Sequence, residues 1–255
     1  MNDVPLGDGF FATAHRFVWH EATRAAVLSD VHLGAELTLR EQGLYLPDVS
    51  YGAIRAAWGR MVERGPRRVV IAGDLFDSPG VVEAALPLVR ELVGALPEGC
   101  EVTVLAGNHD PGAEAMRAVL GELGVGVEAA TAVGGYAVFH GHRWADGREV
   151  WRRNGGAGVI VGHQHPAVVV GNRVARAKMI CYAAGVVEVE GKRVRLVVLP
   201  AFSPLPLGSN LLTERHWIVD LPRPHGADVR VLGLVEPKGG EARVLDFGML
   251  ADLPA

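Results

Sequence analysis

The stretch Ala25-Ala26-Val27-Leu28-Ser29-Asp30-Val31-His32 joins a short apolar run to a polar cluster. The same arrangement recurs along the chain, where further apolar, strand-like runs end in Asp, Asn or His. Loops at the carboxyl ends of strands converge in open α/β sheets, so these clusters are predicted to meet in one site. The four further clusters are Gly73-Asp74, Gly107-Asn108-His109-Asp110, His140-Gly141-His142 and Gly162-His163-Gln164-His165.

Strand-like and helix-like segments alternate in the first half of the chain, and strand-like segments dominate the second half. This order predicts an α/β fold, a layered sandwich of two packed mixed β-sheets flanked by helices. We expect one domain over residues 1–255, with 1–24 as a lead-in segment and no separate cap domain. The periodicity of apolar residues predicts helices over 51–63, 81–96 and 112–123. It predicts strands over 25–28, 69–72, 102–106, 136–139, 159–161, 168–170, 179–183, 193–199, 217–221, 229–234 and 242–247.

The composition favours a folded intracellular protein. Hydrophobic residues make up 49% of the 255 residues and the formal net charge is -4, so a sizeable core is expected and a global basic field is absent. Two cysteines, Cys100 and Cys181, exclude a disulfide framework and suit a reducing cytoplasm. We expect no secretory signal and no membrane span, because no basic segment leads into an apolar run and no long apolar stretch occurs. Cytoplasmic localisation is therefore predicted.

The clusters supply the nitrogen and oxygen ligands that divalent metals use. Taken singly, Asp-x-His and Gly-Asp are also common caps and turns, but the ordered combination favours a site for two ions. Asp30 and His32 would point the same way from a strand end, and the carboxylate of Asp74 has two oxygens with which to bridge the ions. The candidate metal ligands are Asp30, His32, Asp74, Asn108, His140, His163 and His165.

Two ions held roughly 3.5–4 Å apart polarise a phosphoryl group and generate a hydroxide near neutral pH. The clusters therefore predict a phosphoester hydrolase in which a metal-bridging hydroxide attacks the phosphate. His109 is assigned to the substrate, where it would stabilise the developing charge or protonate the leaving oxygen, and Asp110 would orient its ring.

The five clusters resemble the calcineurin-like metallophosphoesterase superfamily, whose pattern is D-x-H, G-D, G-N-H-[DE], H and G-H-x-H in that order. All five elements are present. The resemblance implies that Asp74 bridges the two ions and that His109 is the catalytic histidine. In the H-G-H element it favours His140 over His142 as the ligand. It implies one ion held by Asp30, His32 and His165, and the other by Asn108, His140 and His163.

A narrower resemblance covers roughly residues 25–210. The run Leu28-Ser29-Asp30-Val31-His32-Leu33-Gly34 and the later Leu199-Pro200-Ala201-Phe202 are similar to the bacterial ligase-associated DNA damage response endonucleases. That family is related to the nuclease subunit of the double-strand-break repair complex. The resemblance implies a DNA endonuclease that acts on single-stranded or unpaired DNA, with a repair helicase or ligase as partner. Manganese is the favoured metal, with iron and zinc as alternatives.

A segment after the fourth cluster interleaves arginine with tryptophan, the combination that grips a flexible nucleic-acid strand through phosphate contact and base stacking. The alternative is a solvated surface whose tryptophans are packing anchors. Further basic residues that could line the same face are Arg40, Arg173, Arg176 and Lys178. The candidate substrate-binding residues are His142, Arg143, Trp144, Arg148 and Arg152, with Trp151 and Arg153 in the same segment.

Two other functions fit the same clusters. One is a small-molecule phosphatase or cyclic-nucleotide phosphodiesterase, because the same core serves several phosphoesters. The other is a scaffold that has kept the fold and lost catalysis, as the retromer subunit of the superfamily has done. The complete ligand set and His109 favour an enzyme over the scaffold.

Overall fold

The protein is described here by a computed structural model. It covers residues 3–171, 176–206, 208–213, 217–236 and 240–254.

The first sheet follows the order of the chain. Its first four strands are antiparallel neighbours, and the fourth to the seventh run parallel. Its strands are β1 (Val4–Gly7), β2 (Phe10–Ala12), β3 (Val18–His20), β4 (Ala25–Leu28), β5 (Arg68–Ile71), β6 (Glu101–Leu105) and β7 (Gly126–Glu128). The lead-in segment therefore contributes three strands to this sheet.

The second sheet is mixed. Its strands are β8 (Ala130–Val133), β9 (Tyr136–Phe139), β10 (Gly158–Val161), β11 (Pro166–Gly171), β12 (Arg176–Val189), β13 (Lys192–Val198), β14 (Ser209–Asn210), β15 (Val229–Val235) and β16 (Arg243–Met249). The order is β14-β11-β12-β13-β10-β9-β8, with β15 paired to β12 and β16 to β15. Residues 217–221 were predicted as a strand, but they form an irregular segment.

Helices cover the outer faces of both sheets. They are α1 (Ala35–Glu41), α2 (Ser50–Val62), α3 (Val82–Gly94), α4 (Ala113–Gly121) and α5 (Trp144–Arg153). The predicted helices over 51–63, 81–96 and 112–123 correspond to α2, α3 and α4, whereas α1 and α5 were not predicted. Among the described residues, no helix combines the length and apolar character needed to cross a membrane.

The strands between the layers are buried on both faces, and their alternating side chains build two different cores. In β4, Leu28 packs toward the helices with Ile54 and Trp58 of α2. Its neighbour Val27 faces the second sheet and joins a cluster that includes Ile160 of β10. A third cluster, on the far side of the second sheet, contains Trp151 of α5. The α/β sandwich of two mixed sheets flanked by helices is confirmed.

Candidate metal centre

The polar clusters follow strand ends that lie side by side. In the first sheet, Leu28 of β4 pairs with Ile71 of β5, and Ile71 pairs with Val104 of β6. In the second sheet, Phe139 of β9 pairs with Val161 of β10. The loops that follow all leave the same edge, because parallel strands in register end together. The structure thus brings the five clusters into one site.

The backbone of this site is unusual. Five residues other than glycine, each a proposed ligand, adopt the left-handed conformation that costs such residues roughly 1–2 kcal/mol each. They are Asp30 (φ 55°), His32 (φ 48°), Asp74 (φ 51°), His163 (φ 63°) and His165 (φ 44°). Asp30 and His32 therefore converge through this local turn and not through strand alternation, which corrects the reason given by the sequence.

Backbone hydrogen bonds hold the first two loops in this form. The N–H groups of Asp30 and His32 donate to the carbonyls of Gly73 and Asp74, each at 3.0 Å. The strained turns are thus supported by their neighbours rather than by local preference, as strained residues at functional sites commonly are.

The first group of metal-ligating atoms comes from the first and last clusters. His165 Nε2 lies 3.0 Å from Asp30 Oδ1, and His32 Nε2 lies 3.4 Å from His165 Nε2. Ligand atoms that share one ion through bonds of about 2.1 Å are separated by about 3.0–3.5 Å, so these spacings fit a single ion. This group matches the first predicted ligand set.

The second group is built around His140. Its Nε2 atom lies 2.9 Å from Asn108 Oδ1 and 3.2 Å from Asp74 Oδ2, and its ring centroid is 4.9 Å from that of His163. The same Asp74 Oδ2 atom is 4.0 Å from His32 Nε2 in the first group. Asp74 therefore lies between the two groups, where the sequence predicted a bridging carboxylate.

Glycines keep the centre compact. A Cβ atom on Gly73 would lie 2.3 Å from His140 Nδ1, one on Gly107 would lie 2.1 Å from Asp74 Oδ1, and one on Gly162 would lie 2.7 Å from Asp30 Oδ2. Each of the three loops thus passes directly against a proposed ligand, and a side chain at any of these positions would displace that ligand.

Two of the proposed ligand imidazoles are oriented through their Nδ1 atoms, as metal-ligating histidines usually are. His140 Nδ1 donates to the Ala72 carbonyl at 2.9 Å, and His32 Nδ1 donates to Asp77 Oδ1 at 3.1 Å. Both rings therefore direct Nε2 at the proposed metal positions. The donor set of imidazole nitrogen, carboxylate and amide oxygen suits two divalent ions.

The buried charges stabilise one another. Burial alone would raise the pKa of Asp30 and Asp74, but the adjacent histidines outweigh it and hold both pKa values below their usual range. Burial would lower the pKa of His140, yet its hydrogen bond to Asp74 and the charge of Asp30 raise that pKa to about 9. Burial and the charge of His140 lower the pKa of His163 to about 4. His163 is thus neutral near pH 7 and keeps a free lone pair.

His109 lies at the mouth of the centre and is exposed. Its Nδ1 atom donates to the Asp77 carbonyl at 2.8 Å, and its backbone N–H donates to Asp74 Oδ1 at 2.9 Å. Its ring packs edge-on against His32, with the centroids 5.0 Å apart. With Nδ1 engaged, Nε2 is the atom left to act on a substrate.

Asp110 does not orient His109, which corrects the prediction. Its two carboxylate oxygens accept the backbone N–H groups of Phe76 and Gly107, each at 2.9 Å, and burial raises its pKa. Asp110 therefore fastens the second loop to the third. The orienting residue is Asp77, which the sequence analysis missed and which contacts both His32 and His109. The available signal was an acidic residue three positions after Asp74.

The arginine and tryptophan segment does not form the predicted binding strip. Arg148 and Arg152 both pair with Glu190, at 2.5 and 2.9 Å. Trp144 packs against Phe139 and against Trp151, which is only 2% exposed. The tryptophans are packing anchors of α5, and the two arginines share one carboxylate that holds both side chains against Glu190, so the surface alternative is favoured for these residues.

One candidate of that segment, His142, stays beside the centre. The ring centroid of His142 lies 5.2 Å from that of His140 and 6.1 Å from that of His163, while Arg143 is exposed and pairs with Asp146 at 3.0 Å. Within the described residues, His142 Nδ1 is buried without a hydrogen-bond partner. His140 rather than His142 contacts Asp74 and Asn108, as the resemblance implied.

Two of the other basic candidates have their own partners. Arg40 pairs with Asp48 at 3.5 Å, and Lys178 Nζ donates to the Gly208 carbonyl at 2.5 Å. Arg176 is exposed, and Arg173 lies outside the described residues.

Comparison with known proteins identifies the family. The sequence model of the calcineurin-like phosphoesterase family matches residues 23–167. This range is more than half of the chain and includes all five clusters. The chain belongs to the calcineurin-like phosphoesterase family. This phosphoesterase is a metal-dependent phosphoester hydrolase. Among the described residues, three groups of Asp and His side chains could hold divalent metals: the two described above, and a third formed by His32, Asp77 and His109.

The chain is similar to solved structures. The crystal structure of the Pseudomonas putida nuclease MPE is similar over 92% of this phosphoesterase and 94% of that chain, with 21% identity and a TM-score of 0.57. Vps29 from Entamoeba histolytica, in complex with zinc, aligns over 88% of this chain and 99% of that one, with 15% identity and a TM-score of 0.37. No curated protein sequence gives a significant match to the phosphoesterase.

Proposed function

We propose that this phosphoesterase is a two-metal phosphodiesterase that cleaves DNA, with single-stranded or unpaired DNA as its substrate and manganese as its metal. The observation that carries the proposal is the pair of ligand groups on either side of Asp74, with His109 beside them. The DNA assignment is supported by the resemblance to repair endonucleases and by the fold shared with a nuclease. Cytoplasmic localisation and a repair helicase or ligase as partner belong to the same proposal.

In this proposal each of the two groups of ligand atoms holds one ion. Asp30, His32 and His165 would hold one ion, and Asn108, His140 and His163 would hold the other, with Asp74 shared. When bound, the two ions supply a nucleophile at neutral pH and neutralise charge on the phosphoryl oxygens.

The remaining residues act on the substrate. His109 Nε2 would stabilise the charge that develops on the phosphate or give a proton to the leaving oxygen, because its Nδ1 is held by the Asp77 carbonyl. His142 and Arg143 are proposed to contact the substrate at the edge of the second group.

The proposal is tested by reloading the metal-free chain with Mn²⁺ and incubating it with one substrate at a time. The substrates are single-stranded DNA, duplex DNA and cyclic nucleotides. We expect internal cleavage of single-stranded DNA that depends on added Mn²⁺. Asp74→Ala should lower that rate by at least about a thousand-fold, since it removes the shared ligand. Asp246→Ala, which removes an exposed carboxylate on β16, should leave the rate unchanged.

Two outcomes would contradict the proposal. Hydrolysis of nucleotides without cleavage of DNA would establish the small-molecule alternative. Undiminished cleavage by Asp74→Ala would show that the hydrolysis arises elsewhere.

A further inference from the structure

An irregular segment near the carboxyl end of the chain is hydrogen-bonded to two loops of the metal centre. Residues 217–221, here called the bracing segment, lie outside the part of the chain that the family model matches. The backbone N–H of Ile218 donates to Gln164 Oε1 at 2.8 Å, and that of Asp220 donates to the Gly141 carbonyl at 2.8 Å. Gly141 directly follows His140. The segment therefore contacts both loops that carry imidazoles of the second sheet.

Gln164 is the first contact. It stands between His163 and His165 in the chain, and it is fully buried although its side chain is polar. A buried amide is costly unless it is hydrogen-bonded, so the contact with Ile218 helps to fix the conformation of this loop.

Asp220 is the second contact, and it acts on α5 as well. Its Oδ2 atom accepts the backbone N–H of Trp144, the first residue of α5, at 2.7 Å. The residue at the N-cap of α5, Arg143, provides no side-chain cap of its own. A carboxylate at a helix N-terminus is favourable because it accepts unpaired N–H groups and opposes the helix dipole. Asp220 thus fixes the turn between His140 and α5.

The bracing segment is itself well anchored. Its Val219 and Leu221 side chains are buried in the core on the outer side of the second sheet, and Trp217 Nε1 donates to the Leu221 carbonyl at 2.9 Å. The segment can therefore hold the two loops against a rigid support.

We propose that the bracing segment positions the metal ligands that follow the strands of the second sheet. The positioning residues are Asp220 of the segment and Gln164, which the segment contacts. This inference rests on the proposed metal centre. Binding sites require their side chains to be held within about 0.5 Å, and loss of a partner behind the ligands typically lowers metal affinity about 10–100-fold. Asp220 would act on His140 through the turn between His140 and α5, and Gln164 would act on its two neighbours in the chain, His163 and His165.

The test measures Mn²⁺ affinity by calorimetry on the metal-free full chain, together with the unfolding temperature without metal. We expect Asp220→Ala to weaken Mn²⁺ binding about 10–100-fold. Asp220→Asn should restore most of the affinity, because its amide oxygen can still accept the Trp144 N–H. Gln164→Met, which removes the acceptor for Ile218 at similar size, should also weaken binding. Asp246→Ala serves as the control for removal of an aspartate.

The outcomes separate the two proposals. If both Asp220→Ala and Gln164→Met bind Mn²⁺ with wild-type affinity, this inference is overturned and the proposed function still stands. A lower unfolding temperature in these variants with unchanged Mn²⁺ affinity would also overturn it, since the segment would then serve stability only. Absence of Mn²⁺ binding by the wild-type chain would overturn the proposed function, and the inference with it.

Discussion

At the scale of single residues, the chemistry of the centre follows from which ring nitrogen of each histidine is engaged. His32, His109 and His140 all have Nδ1 bound to an oxygen of a neighbouring loop, so Nε2 is the ring nitrogen that remains for a proposed ion or a substrate. The histidines and aspartates themselves could be predicted from the sequence, because their residue types and order are unusual. The oxygen partners of these rings could not be predicted. Nothing in the sequence around Asp77 or Ala72 indicates that the fold places them beside the imidazoles.

His109 provides a prediction at this scale. If its Nε2 protonates the leaving oxygen, His109→Gln should lower cleavage of DNA about 100–10,000-fold, the range of general acid catalysis. It should lower hydrolysis of bis-p-nitrophenyl phosphate much less, because p-nitrophenolate leaves without a proton. Steady-state rates on both substrates with Mn²⁺ provide the measurement. Equal losses on the two substrates would instead assign His109 to stabilisation of charge on the phosphate.

At the scale of elements, α5 shows where sequence reasoning fails. Its apolar face is narrow, with Trp144 and Trp151 seven residues apart, and the rest of the helix is largely polar. Its N-terminus is capped by Asp220, which lies 76 residues further along the chain. The contacts that fix this helix come from distant parts of the chain and are not visible in its local sequence. Its interleaved arginines and tryptophans therefore suggested a nucleic-acid binding strip. In contrast, α2, α3 and α4 carry regular apolar faces and were predicted within a few residues.

The corrected role of α5 leads to a second prediction. The double variant Arg148→Ala and Arg152→Ala should bind and cleave single-stranded DNA within about two-fold of the wild type, because both side chains are held by Glu190 and stand beside packed tryptophans that offer no stacking surface. Fluorescence anisotropy with a labelled oligonucleotide gives the affinity. A strong loss of affinity, with a reduced dependence on salt, would show that these arginines do contact phosphates.

At the scale of the whole molecule, the site exists because two sheets pack face to face and end at a common edge. Tyr182 of β12 spans the interface, since its buried hydroxyl contacts the carbonyls of Thr13 at 2.8 Å and Phe17 at 3.0 Å in the turn that joins β2 to β3 of the first sheet. Burial raises the pKa of Tyr182, so the hydroxyl stays protonated and can donate. The layered class was predictable from the order of strands and helices, but the pairing of β12 with β15 and the three strands of the lead-in segment were not.

Tyr182 provides a prediction at this scale. Tyr182→Phe should lower the free energy of unfolding by about 1–2 kcal/mol, because it removes the donor to the buried Thr13 carbonyl while keeping the ring. Urea denaturation followed by tryptophan fluorescence measures the change. Tyr45→Phe is the matched control, since Tyr45 is 79% exposed and the same change there should have little effect. Equal stabilities of Tyr182→Phe and the wild type would contradict a role of the hydroxyl in joining the sheets.

The central claim, a centre for two ions that share Asp74, is tested most directly by counting bound metal. The chain is stripped with a chelator, reloaded with Mn²⁺ and desalted, and its metal content is measured by mass spectrometry. We expect two ions per wild-type chain, two in Asp246→Ala, and at most one in Asp74→Ala. A wild-type chain that retains one ion or none, or an Asp74→Ala chain that retains two, would contradict this claim.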